Sequence, residues 1–199
     1  MDALAHRKEL IHILQMAYSG ELAAAFAYAG HWRSLSDPQQ KADIRKIEND
    51  EWKHRAMVGE MLAQLNGKPQ LLREIMMACI GINAFFGCFM TGWFLPMYFA
   101  GRLENDNTKE YFTAANHAAH LGLQRMQTDL LELSEVELQH EAFFRQIVQG
   151  HAWLPLMMRL FTWGSPLTID ETIDDKQTDD LAIEALNFQP LAVENTDQL

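Results

Sequence analysis

The sequence predicts an all-α protein: a four-helix bundle with an additional C-terminal helix and an acidic, flexible tail. Three observations carry this. The chain of 199 residues is rich in Ala, Leu, Met, Glu and Gln, has only 11 Gly and 6 Pro, and runs for long stretches without a turn signal. Apolar residues recur at helical spacing in the long segments. Two Glu-x-x-His patterns interrupt such apolar stripes. The length suits one domain, expected over residues 1–169, with residues 170–199 as the tail.

The first helix is expected from Asp2 to about Leu35, ending at Ser36-Asp37-Pro38. Asp37 can cap the second helix with Pro38 at its first position, and Asn66-Gly67-Lys68-Pro69 should stop it. A third segment begins near Gln70, bends or restarts after Asn105-Asp106-Asn107 and continues to Leu121-Gly122. The fourth core helix is expected from about Leu123 to Gln149, and a short apolar helix between His151 and Phe161.

Residues 75–101 carry no charge and many aromatics, a run longer than the roughly 20 residues that cross a bilayer. Three readings stay open: a transmembrane span, a fully buried bundle helix, or a helix with one face in the bundle and one at the membrane interface. Pro96 should kink it. This run and residues 153–161 together suggest an apolar surface near the site.

The formal charge is -11, and residues 170–199 hold nine Asp and Glu against Lys176 alone, so the rest of the chain carries only -3. The tail is expected to stay solvated, apart from a short helix over residues 181–186. An acidic chain without a basic stripe argues against a nucleic-acid partner. Cys79 and Cys88 have no partner at zinc-ligand spacing and read as packed thiols. With no visible signal peptide, this points to a reducing cytoplasmic compartment, with room for a peripheral position on the inner face of the cell membrane.

Residues three apart share a helix face, so the Glu and His of Glu-x-x-His can reach one ion. With 15 Glu and 8 His, about 0.6 such patterns arise by chance, and the chain has three. Context separates them. Glu51 and His54 interrupt a stripe with Ile44, Ile47, Val58 and Leu62, and Glu137 and His140 one with Leu130, Leu133, Phe144 and Ile147. A buried unpaired carboxylate costs several kcal/mol or more unless it is neutralised or bound to a cation. Glu21 lies on a similar stripe with Leu14, Tyr18, Ala25 and Tyr28. Glu9 and His12 are turned about 120° and 180° from Glu21 and belong on a solvated face.

A dinuclear bundle needs one Glu from each of two helices and Glu-x-x-His from each of the other two. Glu104 is the acidic residue of the third segment placed to complete that set, although an exposed helix end would look the same. His117 and His120 point about 220° and 160° away from it and read as surface or supporting residues. Hard carboxylates with two imidazoles and no thiolate suit two iron ions, with manganese as the alternative.

Ser19-Gly20-Glu21 followed by Tyr28-Ala29-Gly30 is similar to an Ala-Gly-Glu and Tyr-Ala-Gly pair at the same offset, and the order Glu, Glu-x-x-His, Glu, Glu-x-x-His is similar too. On these residues the chain resembles the demethoxyubiquinone hydroxylase family, ferritin-like di-iron carboxylate proteins, over roughly residues 10–165. It departs in having Ala17-Tyr18 where that family carries Asp-His, and Arg102-Leu103-Glu104-Asn105 in place of a Val-Glu-Glu type. The resemblance implies Glu21, Glu51, His54, Glu104, Glu137 and His140 as ligands of two irons. It also implies a membrane-interface monooxygenase that uses dioxygen to hydroxylate a quinone-like ring in ubiquinone biosynthesis. Its electron donor would be reduced nicotinamide or a reductase.

Two other functions fit the same residues: a ferritin-like or rubrerythrin-like peroxidase or iron-handling protein, and a metal-free membrane-associated bundle. The absence of Cys-x-x-Cys weighs against ordinary rubrerythrin. Tyr18, Tyr28 and Tyr111 read as core aromatics, with no catalytic residue beyond the ligands. Homo-oligomerisation stays open.

Overall fold

A computed structural model describes residues 2–167, which form six α-helices and no strands. The expected tail, with its short helix, lies outside the described residues. α1 (Ala3–Ser34) starts where the Asp2 carboxylate accepts from the Ala5 amide at 2.8 Å. α2 (Pro38–Gln64) starts with the same device, Asp37 accepting from Gln40, and with Pro38 in the turn that needs no amide. At its end Asn66 takes a φ of 52° and the Gly67 amide returns to the Leu62 carbonyl at 2.8 Å. Next come α3 (Leu71–Met90), α4 (Phe94–His120), α5 (Gln124–Val148) and the short α6 (Leu154–Leu160).

Cross-helix contacts fix the directions. Tyr18 meets Arg55 while Trp32 donates to Glu48 at 2.6 Å, so α1 and α2 are antiparallel. Asn105 reaches Glu141 at 3.0 Å and Ser134 reaches the Thr108 carbonyl at 2.9 Å, so α4 and α5 are antiparallel. Tyr28 with Glu104 and Tyr111 with Glu21 set α4 antiparallel to α1. α1, α2, α4 and α5 therefore make an up-down-down-up bundle, the ferritin-like arrangement with one long crossover.

That crossover is α3, which runs parallel to α1: Arg73 meets Ser19, Gly81 meets Ala23 and Gly30 meets Phe85. Backbones touch at this seam. A Cβ at Gly30 would lie 2.4 Å from Phe85 Cα, and one at Gly81 would lie 2.6 Å from the Ala23 carbonyl oxygen.

Four details differ from the sequence reading. The uncharged run is two helices and not one kinked at Pro96. The chain breaks after Met90, Gly92 takes a φ of 71°, and Pro96 falls in the first turn of α4, where its missing amide costs nothing. Nor is the run fully buried: on α3 only Gly81 and Cys88 are buried, while Ile75, Ile82, Phe86 and Phe89 are exposed. α4 continues unbroken through residues 105–107, because Asn105 is buried against Glu141 and the Ser165 carbonyl, and Asn107 donates to Glu104. Cys88 is packed, with burial pushing its thiol up to about 11, but Cys79 is exposed on the outer face of α3.

Two apolar clusters fill the bundle. One holds Leu10, Leu14, Val58, Leu62, Leu130 and Leu133. The other holds Ile44, Met97, Tyr98, Phe144, Met157 and Trp163. Between them, about midway along the four helices, lies a polar layer.

Candidate metal centre

The polar layer consists of the six residues singled out from the sequence. Glu51 and Glu137 are 0% exposed, Glu104 1%, Glu21 3%, and His54 and His140 4%. Each sits where an apolar stripe would otherwise run uninterrupted, so the periodicity that buries Ile47 and Val58 also buries Glu51 and His54. Glu104 is therefore no exposed helix end.

Ligand-capable atoms of Glu21, Glu51, His54 and Glu137 lie within 4.8 Å of one another, and so do those of Glu51, Glu104, Glu137 and His140. The two sets share Glu51 and Glu137. Each set could hold one metal ion, with two carboxylates common to both sets. Glu9 and His12 are exposed and apart from it. His117 and His120 meet His6 instead, with His6 Nδ1 and His117 Nδ1 2.9 Å apart.

The hydrogen bonding leaves the layer short of positive charge. Both oxygens of Glu51, Oε2 of Glu21 and Nε2 of His140 are buried without a partner. Burial pushes Glu51 well above the usual carboxylate range, and the charges of Glu21, Glu137 and Glu104 push the same way. Burial and then the Glu137 charge raise Glu104 likewise. Glu21 is raised by burial, with the His54 charge and the hydrogen bond from Tyr111 opposing. Burial would raise Glu137 too, but hydrogen bonds from His140 and His54 prevail and hold it well below that range. Four carboxyls and two imidazoles fit a pair of divalent cations: the unpartnered oxygens would gain ligand bonds and the mutual repulsion would be neutralised.

Two tyrosines missed as site residues complete the layer. Tyr28 on α1 donates to Glu104 on α4, and Tyr111 on α4 donates to Glu21 on α1. Each tyrosine lies seven residues after a site glutamate, 28 after 21 and 111 after 104, a repeat that could have drawn attention to them. Asp50, also missed, places Oδ2 3.6 Å from His140 Nε2, too long for a hydrogen bond but on the side where it can orient that ring.

Beside the layer, between α1, α3 and α4, lies a cavity of about 550 Å³. Its walls are mainly small or apolar, among them Ala24, Ala27, Met77, Ile80, Ala84 and Leu103, and Glu21, Tyr28, Glu104 and Tyr111 also line it. The volume is that of a small-molecule site.

Fold and site together define a class: a ferritin-like bundle with a buried carboxylate–imidazole cluster opening onto an apolar cavity. The family described as ubiquinone biosynthesis protein COQ7 matches residues 8–95, which take in Glu21, Glu51, His54 and all of α3. A 3-demethoxyubiquinol 3-hydroxylase from Francisella tularensis subsp. novicida (strain U112) is 30% identical over 87 residues, covering 43% of this chain. The chain spans about two fifths, 41%, of the length of that curated relative. No solved structure matches. These findings establish the resemblance to the demethoxyubiquinone hydroxylase family. The family match is shorter than the 10–165 over which the motifs are similar, and stops before Glu104, Glu137 and His140.

Proposed function

We propose that this chain is a dioxygen-dependent di-iron hydroxylase acting on a quinone-like aromatic ring, as in ubiquinone biosynthesis. The observation that carries the reading is the junction of the carboxylate–imidazole layer with a cavity of about 550 Å³ whose remaining walls are largely apolar. An iron-handling protein needs a polar path for ions, whereas a ring hydroxylase needs a dry chamber beside its metals. The family resemblance supports the same choice.

In this reading Glu21, Glu51, His54 and Glu137 would hold one ion, and Glu51, Glu104, Glu137 and His140 the other. Two iron ions bound there supply the redox chemistry by which one oxygen atom of dioxygen enters a ring C–H bond as hydroxyl. The other oxygen leaves as water, taking two electrons from reduced nicotinamide or a reductase and two protons. The chain's own residues set the conditions. Tyr28 and Tyr111 hold the terminal carboxylates in place, Asp50 backs His140, and the alanine- and methionine-rich walls exclude water.

α3 is long and apolar enough to cross a membrane by length and composition, yet one face packs along α1. Its outer face and the exposed Trp153, Leu156, Leu160 and Phe161 around α6 support peripheral docking on a lipid surface, where a long-tailed substrate would arrive.

The test is single turnover of the reduced, iron-loaded protein with labelled dioxygen and extracted membrane quinones, followed by mass spectrometry. One labelled oxygen atom in a ring product is expected, with about two irons per chain. Label absent from every organic product, while iron oxidation continues for many equivalents and builds a mineral, would replace this reading with iron storage.

A further inference from the structure

The cavity is not uniform along its length. At one end its lining is apolar, with Leu95, Pro96 and Phe99 near the break between α3 and α4. At the other end stand Arg73 from α3 and Glu110 from α4, and Arg73 is the one Lys or Arg among the described lining residues.

Arg73 is held but not consumed. Its Nε donates to Ser19 Oγ at 2.7 Å, and that hydroxyl hydrogen is directed back to the carbonyls of Gln15 or Met16. This fixes the guanidinium plane through one of its five donors. Among the described residues no carboxylate or carbonyl takes the terminal nitrogens of Arg73. The neighbouring Arg55 differs, donating to the Tyr18 carbonyl and to Glu74 and stacking over the Tyr18 ring at 3.7 Å. Ser19 is two residues before Glu21, a rise of about 3 Å along the helix, so Arg73 is anchored close to the metal layer.

Glu110 is half-buried, immediately before Tyr111, and faces the same space. Arg73 lies near enough to act on its charge, although the two form no ion pair among the described residues. One end of an apolar chamber thus presents a fixed donor and an acceptor within about a turn of Glu21.

We infer that Arg73 and Glu110 read the ring oxygens of the substrate: Arg73 donates to a hydroxyl or methoxy oxygen while Glu110 accepts from a ring hydroxyl. The ligand class is a hydroxylated or methoxylated benzoquinol, held with its oxygenated edge at this end and its apolar tail leaving past Phe99. A plain carboxylate fits less well, because Glu110 and Asp106 share the same end. The inference rests on the hydroxylase reading and adds the orientation of the ring.

The test uses the full-length chain loaded with zinc as a redox-inactive stand-in, and equilibrium dialysis against two probes with the same decyl tail: a methoxylated benzoquinol and decylbenzene. Arg73→Met should weaken quinol binding at least tenfold and leave decylbenzene binding and zinc content unchanged. Ser19→Ala, which frees the guanidinium, should weaken quinol binding by a smaller factor. Equal affinities of wild type and Arg73→Met for the quinol would overturn the inference and leave the hydroxylase reading standing. Parallel loss of both probes would overturn it as well, since Arg73 would then only shape the cavity. Failure of the wild type to bind the quinol at all would count against both readings.

Discussion

Tyr111 on α4 donates its hydroxyl to Glu21 on α1, and seven residues beyond Glu21 the hydroxyl of Tyr28 crosses back to Glu104 on α4. The two bonds are reciprocal and share the same seven-residue spacing, a symmetry of sequence that the Glu51–His54 and Glu137–His140 pairs repeat. Each outer carboxylate is thereby fixed by a residue of the facing helix. Replacing Tyr111 by Phe should weaken metal binding about 10- to 100-fold, the usual effect of removing a hydrogen bond to a ligand. Chelator competition would measure it, and Tyr28→Phe should behave alike if the symmetry is functional.

The layer should cost stability when it holds no metal. Glu51 has both oxygens buried without partners. Glu51→Leu should therefore stabilise the metal-free protein by about 1–3 kcal/mol and abolish the further stabilisation that ferrous iron or zinc gives the wild type. Because folding raises the Glu51 and Glu104 carboxyls, the native state holds their protons more tightly than the unfolded chain does. Their contribution is fully present below the ordinary carboxylate range and is lost as pH rises through the raised values. Urea melts of metal-free wild type and Glu51→Leu across pH would show this difference.

His31 acts in the opposite direction. It is buried near Tyr28 and Phe144, with Nε2 unpartnered, and burial pulls its imidazole from 6.5 down to about 4. The folded state thus favours neutral His31, so its contribution is present above pH 6.5 and is lost as pH falls toward 4. Relative to His31→Gln, the wild type should lose up to roughly 3 kcal/mol over that interval in denaturant titrations.

The α1–α3 seam gives a paired test. Gly30→Ala would place a Cβ 2.4 Å from Phe85 Cα, against backbone that cannot turn aside. It should destabilise by about 1–3 kcal/mol. Gly87→Ala, on α3 two residues beyond Phe85 and lining the cavity, with nothing within 4 Å of the new Cβ, should be neutral or stabilise by up to about 1 kcal/mol.

Liposome flotation examines the outer surface. Serine at the exposed Phe86, Phe89 and Trp153 should reduce association while leaving the melting temperature nearly unchanged. Serine at Met157, which is buried in the core, should lower the melting temperature. Association unaltered by the first set would refute docking through this surface.

The buried polar layer was legible because Glu-x-x-His is a local relation: two residues three apart on one helix share a face, and Leu or Ile a turn away states that the face is buried. Tyr28 and Tyr111 were read as core because their partners lie on another helix, and no single helix announces what stands opposite. Arg73 and Glu110 were missed for the same reason. The break at Gly92 was hidden by composition, since an uninterrupted apolar run looks like one helix when its two halves turn apolar faces to different neighbours. Pro96 then drew the discontinuity toward itself, although a proline in a helix's first turn marks a beginning as readily as a kink.

None of the six layer residues lies on α3. The frame that sets distances among the carboxylates and imidazoles is therefore mechanically distinct from the panel that closes the chamber, and the two meet along a line of glycines with no side chain interlocked across it at Gly30 and Gly81. The width of the chamber is thus set where backbone meets backbone, at positions no side chain can adjust by turning, and the Arg73–Ser19 bond ties the panel to the frame beyond them.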